Sequence, residues 1–188
     1  YINKLIDLKT KFRLDKGLQY LLLFFLAFII ICLTGCNYSI YNKNILLSDP
    51  TIFEEDGKYY LYGTSSGGLH KTNKGFHVFK SDDLNNWKPQ GYALRYGDAY
   101  GEKGFWAPHV SKNNDTYIMV YTADENIAIA FSKSPTGPFK NEMKTYFKTE
   151  EKQIDPFLFF ENGKYFLFSV KRLNDGNQIF VSELTENL

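Results

Sequence analysis

Cysteine is almost absent from the 188 residues: there are two, Cys32 and Cys36. That excludes a small disulfide-built scaffold and a cysteine-rich zinc module. Net charge is almost absent too, at +1, so the chain lacks the basic excess that a phosphate-neutralising nucleic-acid binder needs. The three histidines, His70, His77 and His109, have no metal-ligand spacing. Gly63 to Gly68 has the gap of a phosphate loop, but Leu69-His70 stands where Lys and Ser/Thr are required. No apolar run reaches the roughly 20 residues of a membrane span. After residue 48 no sustained helical period with caps occurs. What is abundant is aromatic, 18% of the chain, within a hydrophobic content of 44% that excludes disorder.

The first 36 residues read as an address. Residues 1–16 carry five basic and two acidic side chains, and Leu21 to Leu33 follow as thirteen residues without charge. A basic segment ahead of an apolar stretch of about 7–15 residues is the pattern of a secretory signal. A short transmembrane anchor is the alternative. Leu33-Thr34-Gly35-Cys36 at the end of the run resembles the bacterial lipobox, in which the cysteine becomes the lipidated first residue. Residues 1–35 are therefore expected to be a lipoprotein signal peptide, and 36–48 a tether. Residues 49–188 would be the folded domain of an exported, membrane-anchored protein. Removal of the leader leaves 17 basic and 19 acidic residues, a net charge of −2, with Cys36 as sole cysteine.

A repeat organises the remainder. Asp49-Pro50-Thr51-Ile52-Phe53 precedes Gly57-Lys58-Tyr59-Tyr60-Leu61-Tyr62. Ala107-Pro108-His109-Val110 precedes Asp115-Thr116-Tyr117-Ile118-Met119-Val120-Tyr121. Asp155-Pro156-Phe157-Leu158-Phe159 precedes Gly163-Lys164-Tyr165-Phe166-Leu167-Phe168. Each reads as a hairpin of β-branched and aromatic strands around a polar turn. A further strand follows each, at 77–81, 127–132 and 178–182. Repeats of this length, each a small antiparallel sheet, indicate an all-β fold of the β-propeller type. A β-sandwich gives no reason for matching strands to begin alike.

In a propeller, equivalent positions of successive inner strands converge near the axis. Asp49 and Asp155 share one template position, so they are expected to approach each other at one mouth of the channel. Facing carboxylates among aromatic rings suit glycosidic hydrolysis, which needs one group to activate water and one to protonate the leaving oxygen. Most of the aromatics are expected to fill space between sheets. His109 takes the position of Thr51 and Phe157, and points either to the sugar or between sheets, because strand faces alternate.

The segments Phe79-Lys80-Ser81-Asp82-Asp83-Leu84-Asn85-Asn86-Trp87, Phe105-Trp106-Ala107-Pro108 and Ser132-Lys133-Ser134-Pro135-Thr136-Gly137-Pro138-Phe139 join the two Asp-Pro strands in a distinctive order. Together they resemble the N-terminal part of glycoside hydrolase family 43, a five-bladed β-propeller family, of which about three blades are present. The resemblance implies an inverting glycosidase acting on arabinose- or xylose-containing polysaccharide or oligosaccharide of the plant cell wall. It implies Asp49 as the general base, Asp155 as the residue that raises the acid's pKa, and Trp106 beside the sugar; His109 is a candidate further contact from its strand position alone. No cofactor is implied; a structural calcium is known in relatives, but no ligand set for it can be named.

One element of the family pattern departs. The general acid is a Glu shortly before a Gly-Pro pair in a fourth blade, and no such segment is present. Glu183 and Glu186 are expected to follow the outer strand as surface residues. The chain is accordingly read as an N-terminal fragment, expected to be inactive alone because open sheet edges remain. A non-catalytic carbohydrate-binding propeller is the rival reading. The fructan-cleaving propellers are disfavoured, because Ser48-Asp49-Pro50-Thr51 replaces their Asn-Asp-Pro-Asn start. The lipobox reading carries its own test. Cys36→Ser is expected to abolish labelling of the protein by radioactive or alkyne-tagged fatty acid in bacteria, and persistent labelling would remove it.

Overall fold

The computed structural model describes residues 45–64, 74–144, 146–149 and 151–185, together with positions 17, 20, 21, 24 and 25. The chain divides into two compact units, Tyr1–Asn42 and Lys43–Leu188. In the first, Tyr20, Leu21, Phe24 and Phe25 are helical and exposed. Among the described residues no helix is long and apolar enough to cross a membrane. Cys36, His70, Glu186 and all of the expected tether before residue 45 lie outside the described residues.

The second unit is all-β. β1 (Ser48–Glu55), β2 (Lys58–Thr64), β3 (Gly75–Ser81) and β4 (Lys88–Arg95) form one antiparallel sheet in chain order. β5 (Trp106–Asn113), β6 (Thr116–Ala123), β7 (Asn126–Ser132) and the two-residue β8 (Tyr146–Phe147) form a second. β9 (Gln153–Glu161), β10 (Lys164–Leu173) and β11 (Gly176–Leu184) form a third. The three repeated hairpins are thus β1–β2, β5–β6 and β9–β10. β4 is a strand the sequence does not announce, since Pro89 and Gly91 interrupt its pattern. A register shift against β3 between Gly91 and Pro89 accommodates them at the sheet edge, and a second lies between Tyr92 and Leu94.

Alternation along β6 explains how the sheets stack. Tyr117, Met119, Tyr121 and Ala123 enter one core with Tyr60, Tyr62, Phe76 and Val78 of the first sheet. Ile118 and Val120, pointing the other way, enter a second core with Leu158, Tyr165 and Leu167 of the third. β6 is therefore buried on both faces, as an unbroken apolar run requires.

Polar clamps join successive sheets at one end. The Tyr117 hydroxyl donates to Glu55 Oε2 at 2.5 Å, and Lys112 Nζ lies 2.5 Å from Glu55 Oε1. These hydrogen bonds, Lys112 first and Tyr117 second, hold the Glu55 carboxyl below its ordinary pKa. One repeat later Asn113 bonds the Tyr165 hydroxyl. Glu55 and Asn113 hold the same template position, five residues after the proline, as do Tyr117 and Tyr165, nine after it. Tyr59 is the matching tyrosine of the first sheet and has no such partner among the described residues. Tyr117→Phe is expected to cost about 1 kcal/mol of unfolding free energy and Tyr59→Phe close to none, measured by denaturant titration. Equal effects would contradict the clamp.

Candidate active site

The inner strand of each sheet carries the same irregularity. Ser48 pairs with Thr64 and Thr51 with Tyr62, so Asp49 and Pro50 together face Gly63. Ala107 and Pro108 face Tyr121, and Asp155 and Pro156 face Ser169. Each is a β-bulge, and proline explains it, because a residue without an N–H cannot complete the ladder. The residue before each proline lies in the left-handed region: φ is 47° at Asp49, 43° at Ala107 and 55° at Asp155. Such conformations cost about 1–3 kcal/mol each for a non-glycine residue. Asp tolerates them better than most residues, which offers a purely conformational reason for Asp-Pro. Ala107 removes that reason, since the backbone forms there without a carboxylate. The aspartates at 49 and 155 therefore call for an explanation in their side chains.

Those side chains share a cleft. Asp49, Thr51, Ala107, His109, Asp155 and Phe157 line one open cleft of about 440 Å³. Gly63 allows the bulge above it to close, because a Cβ there would stand 2.7 Å from the Ser48 carbonyl oxygen. Two threonines, which sequence reasoning missed, tie the bulges together. Thr64 Oγ1 donates to Asp49 Oδ2 at 2.6 Å and accepts the Ala107 N–H at 2.8 Å. Thr122 Oγ1 accepts the Asp155 N–H at 3.0 Å. The one signal available was position, since both threonines lie fourteen residues after their proline.

His109 reaches the next sheet while also bordering the cleft. It lines the cleft, and its Nδ1 accepts the Leu158 N–H of the next sheet at 3.3 Å, while its ring lies 4.3 Å from that of Phe157. Acceptance at Nδ1 places the proton of the neutral ring on Nε2. Trp106, by contrast, lies in a neighbouring cleft of about 630 Å³ with Glu102, Asp124, Glu125 and Lys152. It is 40% exposed and packs against Gly104. Glu183 lies inside β11 rather than beyond it, exposed and 2.7 Å from Lys164 Nζ. Among the described residues no three His, Cys, Asp or Glu side chains converge as a metal cage.

The electrostatics separate the groups. Asp155 keeps contact with solvent, yet its carboxyl is raised above the ordinary range, first by burial and then by the charge of Asp49. Burial pushes His109 down from 6.5 to about 4. The stability that His109 contributes as a neutral acceptor is complete above about pH 6.5. It is lost as pH falls toward 4, where the unfolded chain binds a proton that the native state refuses. Asp155 acts oppositely, since its ionisation costs stability at neutral pH and the cost vanishes in acid. His109→Gln is accordingly expected to flatten the decline in denaturant midpoint between neutral pH and about pH 4. At most about 3 kcal/mol is involved. An unchanged decline would contradict the buried neutral imidazole.

Comparison with known proteins identifies the arrangement. The sequence model for Glycosyl hydrolases family 43 matches residues 43–188. The extracellular endo-alpha-(1->5)-L-arabinanase 1 of Bacillus subtilis is 30% identical over 137 residues, 63% of this chain and 41% of that protein. The endo-1,4-beta-xylanase of Bacteroides thetaiotaomicron superposes with a TM-score of 0.68 at 41% identity, over 76% of this chain and 48% of that one. A thermostable family-43 glycoside hydrolase superposes at 0.65 and 34% identity, over 76% and 49%. The chain thus spans about half or less of the length of the relatives it matches. With that match running through all three sheets and both bulged aspartates, the chain belongs to glycosyl hydrolase family 43.

Proposed function

We propose that the protein carrying this chain is an inverting glycosidase that hydrolyses arabinan- or xylan-type polysaccharide or its oligosaccharides. The three sheets are consecutive blades of a five-bladed propeller, and their bulged strand ends form part of the site. The observation that carries the reading is the convergence of Asp49 and Asp155 in one cleft, each on a strained bulge that an alanine can also form. Names of relatives that act on arabinan and xylan support the substrate class.

Asp49 takes the proton of the attacking water as its oxygen closes on the anomeric carbon, and the glycosidic bond breaks on the opposite face. Inversion requires room for that water, with base and acid carboxyls roughly 6.5–9.5 Å apart. Asp155 supplies a second negative charge at the rim. A nearby carboxylate disfavours ionisation of the group that must arrive protonated. The His109 Nε2–H offers a hydrogen-bond donor to a sugar hydroxyl, and Phe157 an apolar face. The acid itself is assigned to no residue described here, since Glu183 is paired with Lys164 on the outer strand. Trp106 borders the neighbouring cleft, where it offers a ring to a more distant sugar unit.

Residues 1–35 export the protein and Cys36 anchors it by lipid, which presents the site to polymer outside the cytoplasm. The basic segment, the apolar run and the extracellular relative support this. Asp49→Ala in the natural full-length protein is expected to lower kcat about 10²–10⁴-fold while oligosaccharide binding stays measurable by calorimetry. Retained turnover would refute the base assignment. Binding by the unaltered protein with no release of reducing ends from any arabinoside or xyloside would favour a sugar-binding propeller.

A further inference from the structure

The two aspartates occupy equivalent bulges but are held differently, and the difference lies fourteen residues downstream of each proline. In the first sheet that position is Thr64, in the second Thr122 and in the third Val170. In each sheet this residue pairs across the ladder with the residue just before the bulge: Ser48, Trp106 and Ile154 respectively. Thr64 reaches its own sheet's bulge carboxylate. Thr122 has Ala107 at that place and therefore no carboxylate to hold. Val170 has a carboxylate beside it, that of Asp155, but no hydroxyl to offer. Among the described residues no donor reaches the Asp155 side chain.

We propose that Thr64 is the positioning residue of Asp49, fixing which carboxylate oxygen is free to receive a proton from water. This rests on the reading of Asp49 as general base. The polarity of the chain of hydrogen bonds follows from its far end. The Ala107 amide is a backbone N–H and can only donate, so Thr64 Oγ1 must accept it at 2.8 Å. The hydroxyl has one proton, which is then directed to Asp49 Oδ2 at 2.6 Å. Oδ2 is thereby held by one hydrogen bond, and Oδ1, which no donor reaches among the described residues, is the oxygen open to the attacking water. Because Ala107 belongs to the next sheet, the carboxylate is aligned against two sheets at once. Asp155 lacks this grip, in keeping with a residue that acts by its charge rather than through a directed proton transfer.

Isosteric exchange separates the hydroxyl from the methyl group. In the natural full-length protein, Thr64→Val keeps the shape and removes the proton and the acceptor. It is expected to lower kcat about 10–100-fold, the scale of a misplaced reacting group, with KM within about twofold. Thr64→Ser keeps the hydroxyl and is expected to hold kcat within about twofold of the unaltered enzyme. Thr64→Ala is the second hydroxyl-free variant, expected to behave as Val does if Val folds poorly; thermal unfolding monitors both. Full activity of the hydroxyl-free variants, or a Ser variant as impaired as Val, would overturn the proposal. So would a loss carried by KM alone. Asp49→Ala, assayed in parallel, distinguishes the two failures. An inactive Asp49→Ala beside a fully active Thr64→Val overturns the positioning role alone, whereas an active Asp49→Ala overturns the base reading beneath it.

Discussion

A proline near the start of each inner strand, third in β1 and β5 and fourth in β9, is the constraint from which the rest of the site follows. Lacking an N–H, it cannot take its turn in the ladder, and the strand answers by placing two residues opposite one. The residue before it is driven into the left-handed region, where side chains seldom lie. That combination turns the preceding side chain out of the ordinary up-and-down alternation of a strand. It is worth its strain at positions 49 and 155, where the side chain is a carboxylate bordering the shared cleft. At position 107 the same backbone persists with only a methyl group, so the distortion belongs to the architecture and does not depend on the acid.

The bulge also supplies the means of joining sheets. An amide released from its own ladder needs an acceptor, and a threonine hydroxyl of the preceding sheet provides one at Ala107 and again at Asp155. At the opposite end of the same strands the tyrosine clamps repeat with equal regularity. Sheet-to-sheet placement is thus pinned by polar groups at both ends and by apolar packing between them. Relative orientation of the cleft residues is inherited from this lattice. His109 adds a third tie, and its buried imidazole makes that tie sensitive to acid.

The hairpins, their strand character and the pairing of Asp49 with Asp155 were legible because a proline and a tyrosine recur at constant separation. The bulges were not, since a proline at the start of a strand is compatible with regular pairing of everything after it. Thr64 and Thr122 read only as residues suited to strands, and their hydroxyl partners are 15 and 33 residues away in the chain. Trp106 is one residue from Ala107, yet it borders a different cleft, because a bulge between neighbours redirects them independently. Glu183 was misplaced for a simpler reason. β11 continues to Leu184 through the polar Ser182 and Glu183, which an exposed edge strand carries as readily as a turn does.

β6 serves two cores with alternate side chains, which ties the sheets by more than contact. A slip of one residue along that strand would send Met119 and Tyr121 toward the third sheet and Ile118 and Val120 toward the first. Both interiors would be mispacked in a single step. Its register is therefore specified twice over, whereas a strand with one wet face is specified once. Errors of alignment that an ordinary half-exposed strand could tolerate are closed to this one, and the shared cleft keeps a single geometry as a result.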